Sequence, residues 1–103
     1  MLIEINYRDG KSSEALDARI RETLEATLSN LTQRLTRVEV HLGDENAHKA
    51  GGGDKRVLLE ARPKGLDPIA VEVFGDDFYE AVDDAAGKLR RALTRTFEKL
   101  DAR

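Results

Sequence analysis

The longest regular pattern in the chain is an apolar repeat near its end. Between Asp76 and Asp101, apolar residues recur at steps of three and four, which places them on one face of an α-helix. They are Phe78, Val82, Ala85, Ala86, Leu89, Leu93, Phe97 and Leu100. Asp76 or Asp77 can cap the start of this helix, and its acidic residues precede its basic ones, as the helix dipole favours. The pattern predicts one long amphipathic helix.

A second helical repeat lies nearer the start of the chain. Ser12 or Ser13 can cap it. Leucine and isoleucine then recur at helical spacing as far as residue 35, and they are Leu16, Ile20, Leu24, Leu28, Leu31 and Leu35. The other face carries both signs of charge, which is typical of a solvated helix surface.

Four segments alternate apolar and polar residues, as a β-strand with one buried face does. They are residues 2–7, 37–42, 55–62 and 69–73. The glycine-rich segment 43–54 is predicted to be a mobile hairpin loop. The order of strand, helix, three strands and helix predicts an α+β two-layer sandwich, with a four-stranded sheet that carries both helices on one face. We expect a single domain spanning 1–103, with the first strand parallel to its neighbour if the helix links adjacent strands.

Charge is unevenly distributed over this pattern. The net charge of the 103 residues is −3, which argues against indiscriminate binding of nucleic acid. The last helix is nevertheless basic towards its end, and Lys88, Arg91, Arg95 and Lys99 fall at steps of three and four. They form one stripe about 135° around the helix from the apolar face. Two interpretations stay open, a solvated cationic surface and a ridge that binds phosphates.

Several classes of chemistry find no support in the sequence. The chain has no cysteine, which excludes disulfides, zinc–thiolate sites and thiol nucleophiles. His41 and His48 lack the spacing of metal ligands, and the triple glycine at 51–53 precedes a strand rather than the helix of a P-loop. We therefore expect a non-enzymatic protein with no metal, cofactor or small-molecule substrate. No apolar run approaches the ~20 residues that span a bilayer, and the start lacks a signal-peptide pattern, so we expect a cytoplasmic protein without a membrane partner.

Particular motifs resemble those of a known family. The segment Asp76–Asp83, DDFYEAVD, is close to an acidic–aromatic–Tyr–x–Ala–aliphatic–Asp motif that a basic helix follows. Ser13–Leu16 resembles the start of that family's first helix, and Arg37–Val40 resembles its second strand. On these residues the chain resembles the ribosome hibernation-promoting factor family, also called sigma-54 modulation or ribosome-associated inhibitor proteins, in its short form.

The resemblance implies a fold like that of double-stranded-RNA-binding domains and a role as a ribosome-associated translation regulator. It implies binding to the small ribosomal subunit, by ribosomal RNA contacts in the tRNA and mRNA channel, with inhibition of translation and hibernation under stress. The matching positions are Lys88, Arg91, Arg95 and Lys99, expected to bind RNA phosphates, with Arg90 and Arg37 as weaker candidates.

Alternatives to this function remain. The negative net charge and a sheet face open to solvent are also compatible with a divergent paralogue that binds a protein or another RNA. We expect the free chain to be a monomer, while association through an exposed edge strand stays open.

Overall fold

The order of the elements along the chain agrees with the sequence pattern. The computed structural model describes residues 1–45 and 53–102. Its elements are β1 (Leu2–Tyr7), α1 (Glu14–Thr27), β2 (Leu35–Asp44), β3 (Lys55–Pro63), β4 (Ile69–Gly75) and α2 (Phe78–Asp101). The strands lie in the order β1-β2-β3-β4. β1 is parallel to β2 and the other pairs are antiparallel, because a helical connection can return the chain to its starting edge whereas a hairpin reverses it.

The core lies between the sheet and the two helices, which cover the same sheet face. Alternate residues on the strands point into it, and those that are buried are Ile3, Val38, Val40, Leu42, Val57, Leu59, Ala61 and Val71. α1 contributes Leu16, Ile20 and Leu24, and α2 contributes Ala81, Val82, Ala85, Ala86, Leu89, Leu93 and Phe97. This is the predicted two-layer α+β sandwich, and the apolar face of the last helix is buried as its repeat indicates.

Both helices begin at side-chain caps that the sequence offered. The hydroxyl of Ser13 accepts a hydrogen bond of 3.2 Å from the backbone N–H of Leu16. The carboxylate of Asp77 accepts one of 2.7 Å from the backbone N–H of Tyr79. Each cap satisfies one of the N–H groups that a helix leaves without a partner in its first turn. Of the two candidates at each start, Ser13 and Asp77 are therefore the caps.

The first helix ends earlier than its leucine repeat. The prediction of a helix as far as residue 35 was wrong, because α1 ends at Thr27 with Leu28 as its C-cap. Ser29 and Asn30 follow, and short polar side chains of this kind compete with the helical hydrogen bonds and favour turns. A turn and a short 3-10 helix (Thr32–Arg34) then lead into β2. Leu28, Leu31 and Leu35 are nevertheless buried. The repeat therefore indicates which residues lie in the core, but not where the helix ends.

The strands are close to their predicted extents. β2 begins at Leu35 and continues to Asp44, which pairs with Lys55 at the start of β3. Gly43 and Asp44 therefore belong to a strand, although we predicted them to be part of a mobile loop. The rest of that predicted loop, including His48, lies largely within 46–52 and outside the described residues.

The side chain of Tyr7 links the end of β1 to α1 by hydrogen bonding. Its phenol donates a hydrogen bond of 2.6 Å to Asp17 Oδ1, and its oxygen lies 3.2 Å from the backbone carbonyl oxygen of Ser13. Burial, helped by the hydrogen bond and the negative charge of Asp17, raises the pKa of Tyr7 to about 12.

This raised pKa predicts a loss of stability at alkaline pH. An unfolded tyrosine ionises near pH 10, so between about pH 10 and about pH 12 the unfolded chain releases a proton that the folded chain retains. The free energy of unfolding therefore falls as pH rises through that window. We expect the replacement Tyr7→Phe to reduce this fall. Urea midpoints for both proteins, measured from about pH 9 to about pH 12, check it, and identical falls would contradict it.

Candidate nucleic-acid interface

Four cations follow the outer surface of α2. We name Lys88, Arg91, Arg95 and Lys99 the cationic ridge, and all four side chains are exposed. The opposite face of the helix is buried in the core, so the backbone beneath the ridge is fixed by packing. At about 1.5 Å of rise per residue, the ridge extends over roughly 16 Å of helix. The ridge is a row of positive side chains on a fixed backbone.

Carboxylates neutralise many of the basic side chains elsewhere. In the described ranges, the ion pairs of lysine and arginine include Arg8–Glu45, Arg19–Asp83, Arg34–Asp101, Arg37–Glu39, Lys55–Asp44, Arg56–Glu72 and Arg62–Glu60. Within residues 1–45 and 53–102, no carboxylate forms an ion pair with the cationic ridge or with Arg90. The second half of α2 is thus where cations without carboxylate partners gather.

Arg90 lies beside the ridge and adds to it. A shallow concavity of about 410 Å³ on α2 is lined by Arg90, Arg91, Thr94, Arg95 and Glu98. Three of the predicted arginines are therefore brought together at one place. Arginine presents a planar fork of donors that matches phosphate, and three forks around one concavity suit an anionic polymer.

Gly87 lies beside the guanidinium of Arg91. A β-carbon at position 87 would lie 3.4 Å from Arg91 Nη1, the mobile end of an exposed side chain, so the position does not require glycine. Helical spacing places residues 87 and 91 on one surface, so this proximity could have been found from the sequence.

Lys88 is partly engaged by the sheet. Its ammonium donates a hydrogen bond of 3.2 Å to the backbone carbonyl oxygen of Glu72, on the edge strand β4. An ammonium has three donors, so two remain for an anion. We therefore expect Lys88 to contribute less to anion binding than Arg91 and Arg95.

Arg37 lies far from the cationic ridge, on the sheet face that the helices do not cover. Its guanidinium is 2.8 Å from Glu39 Oε2 and 3.9 Å from Glu4 Oε1. Glu39 also lies 3.4 Å from the guanidinium of Arg62 and 3.4 Å from the imidazole of His41. Partial burial opposes ionisation of Glu39, but the two arginines outweigh it and lower its pKa. The structure thus separates Arg37 from the other candidates and surrounds it with carboxylates.

The acidic–aromatic motif joins the two helices. Arg19 on α1 lies 2.7 Å from Asp83 Oδ2 and 5.9 Å from the centre of the Tyr79 ring. Thr23 Oγ1 lies 3.4 Å from Asp83 Oδ1. With Asp77 as the cap, these contacts give the motif a structural role in docking α2 against α1. Helical periodicity carries no signal for this pairing, because the pairing depends on which residues of the two helices face each other.

A second contact fixes the far end of α2. Both terminal nitrogens of Arg34 donate to the carboxylate of Asp101, at 2.9 and 3.1 Å. Its guanidinium lies 4.0 Å from the centre of the Phe97 ring. α2 therefore continues past the end of α1 and is held there by the segment before β2.

Two other kinds of site find no support among the described residues. Residues 1–45 and 53–102 contain no group of three or more histidine, aspartate or glutamate side chains placed to hold a metal ion. None of the helices described is both long and apolar enough to cross a membrane. The candidate site is the concavity on α2 with the ridge beside it, where three arginines meet.

Two solved structures are similar to this one. The N-terminal domain of Protein Y from Thermus thermophilus superposes with a TM-score of 0.72 at 22% sequence identity, covering 93% of this chain and 99% of that one. A ribosomal subunit interface protein from Coxiella burnetii superposes with a TM-score of 0.71 at 21% identity, covering 95% of this chain and 99% of that one. At these identities the likeness supports the fold. No curated protein matched the chain.

The match to a family model extends over nearly the whole sequence. The model described as sigma 54 modulation protein / S30EA ribosomal protein matches residues 3–101. These residues include α1, α2, the strands β1 to β4 apart from Leu2, and the motif that docks α2. The chain belongs to the sigma 54 modulation protein / S30EA ribosomal protein family.

Proposed function

We propose that this chain is a non-enzymatic, ribosome-associated protein that binds the small ribosomal subunit and inhibits translation or promotes hibernation under stress. The observation that carries the proposal is the group of cations on α2, formed by the cationic ridge and Arg90, that have no carboxylate partner among residues 1–45 and 53–102. Membership of the family supports association with the ribosome, as does the fold shared with a ribosomal subunit interface protein.

The proposed mechanism is occupation of a site, and no bond is made or broken. Arginine forks and lysine ammonium groups bind phosphates of ribosomal RNA and fix the position of the protein. The packed core holds the backbone of α2 in place, so binding has to order only the exposed side chains and not the helix itself. A protein held in the channel used by tRNA and messenger RNA then sterically blocks the binding of both.

The negative net charge of the chain does not prevent binding to RNA. Thr23, near the end of α1, lies beside Asp83, and Arg95 follows Asp83 by twelve residues, or about 18 Å of helix. The Debye length at physiological salt is about 8 Å. The exposed acids of α1 are therefore largely screened from the far half of the cationic ridge. An RNA phosphate there is influenced mainly by the charges nearest to it, which are the cations and Glu98.

The alternative of a protein-interaction module receives less support. The open sheet face is where such a partner would bind, but the charges there pair with one another around Glu39 and along β3. A partner would have to compete with those pairs. The cationic ridge has no such competition within the part of the chain that the structure describes.

Salt dependence tests the proposed contact. If about four phosphates are bound, the logarithm of the association constant should fall with the logarithm of salt concentration at a slope of roughly −3 to −4. Co-sedimentation with purified small subunits at increasing potassium chloride measures the slope. A slope near zero would show that phosphate contacts do not drive binding.

A further inference from the structure

Glu98 is an unexpected residue in a phosphate-binding concavity. It lies on the same surface of α2 as Thr94 and Arg95, four and three residues before it. It lines the concavity of about 410 Å³ with those residues, Arg90 and Arg91. In the described part of the chain its carboxylate forms no ion pair, although three guanidinium groups line the same space. The concavity therefore offers both hydrogen-bond donors and a free acceptor.

A ligand that carries only phosphate does not suit this combination. The carboxylate would repel it, and none of its atoms could donate a hydrogen bond to Glu98. A ligand that joins a phosphate to a hydrogen-bond donor suits both parts of the site. Cytosine, adenine and guanine each present an exocyclic amine, and the usual partner of a glutamate carboxylate is the amine of cytosine. Uracil presents a carbonyl oxygen at the position where cytosine has its amine.

We propose that this concavity is a base-selective site for an unpaired ribonucleotide whose base carries an exocyclic amine, with cytidine as the preferred case. Arg91 and Arg95 bind the adjoining phosphates, while Glu98 accepts a hydrogen bond from the amine. The nucleotide is unpaired because side chains read base edges in RNA mainly where the strand is single. The inference rests on the proposed function and specifies which nucleotide the RNA-binding site prefers.

The test compares two single-stranded RNAs, one whose bases carry the exocyclic amine and one whose bases carry a carbonyl oxygen at that position. Binding of the chain to ten-nucleotide oligocytidylate and oligouridylate is measured by fluorescence anisotropy at low salt. We expect oligocytidylate to bind about tenfold more tightly, since one good contact to a base edge discriminates by this order. In the variant Glu98→Gln the ratio should approach one, because an amide can donate to the uracil oxygen as well as accept from the cytosine amine.

Glu25→Gln is the matched control. Glu25 is exposed on α1, outside the concavity, and its replacement changes the net charge by the same amount. Both variants should bind RNA somewhat more tightly, but Glu25→Gln should keep the preference for cytidine. A ratio near one for the unaltered chain, or one that Glu98→Gln leaves unchanged, would overturn the inference.

Binding to the small subunit separates this inference from the proposed function. If the chain co-sediments with small subunits but binds neither oligonucleotide, the base-selective site is rejected and the proposed function stands. If it binds neither the subunit nor the oligonucleotides, both are rejected.

Discussion

Reversing two charges on the cationic ridge, with Arg91→Glu and Arg95→Glu together, is expected to weaken binding to small subunits at least about 100-fold. A hydrogen bond to a charged group contributes about 1.5–3 kcal/mol, two are lost, and the new carboxylates repel phosphates. Both arginines are exposed, so the fold should be retained. Co-sedimentation with purified subunits measures the loss, and circular dichroism confirms the fold.

A second double variant controls for net charge. Lys11 and Lys64 are exposed, lie outside the helices, and form no ion pair in the described parts of the chain. Lys11→Glu with Lys64→Glu changes the net charge by the same amount, away from α2. We expect it to bind nearly as well as the unaltered chain. Equal losses in the two double variants would mean that overall charge, and not the ridge, governs binding.

Truncating the core beneath the ridge is expected to have the largest effect on stability. Leu93 is fully buried, and Leu93→Ala removes its side chain from a packed interior at a cost of about 2–5 kcal/mol. Urea denaturation measures this loss. A cost well under about 1 kcal/mol would show that the apolar face does not hold α2 in place.

Arg95→Ala is the matched control for Leu93→Ala, because Arg95 lies half a turn further along α2. Arg95 is exposed, and surface substitutions of this kind usually alter stability by no more than about 0.5 kcal/mol. We expect Arg95→Ala to weaken subunit binding while leaving the urea midpoint nearly unchanged. The two variants thus separate the face of α2 that stabilises the protein from the face that binds RNA.

Much of the fold could be predicted because the buried residues recur at the period of the helix or strand to which they belong. α2 is long enough for its apolar face and its cationic stripe to be distinguished on one helical wheel, and the strands each bury alternate residues. The end of α1 could not be placed in this way. Leu28, Leu31 and Leu35 keep the helical spacing through a turn, because a turn can direct side chains into the same core.

The pairing of charges could not be predicted from the sequence. Arg37 meets Glu4 and Glu39 because β1 and β2 are in parallel register, with Glu4 opposite Glu39. Arg19 meets Asp83 because two helices far apart in sequence pack together. Such contacts decide which cations remain available, and they appear only when the elements are assembled. The sequence indicates where cations lie, and the structure shows which of them pair with a carboxylate among the described residues.

The most direct measurement is to find which face of the protein touches ribosomal RNA. The chain contains no cysteine, so a photoreactive probe can be attached at one introduced position. Thr94→Cys places it in the concavity on α2, and Ala70→Cys places it on β4 opposite Glu60, on the sheet face away from the helices. We predict that on small subunits the probe at position 94 crosslinks to ribosomal RNA and the probe at position 70 does not. Crosslinking from position 70 and none from position 94 would contradict the account.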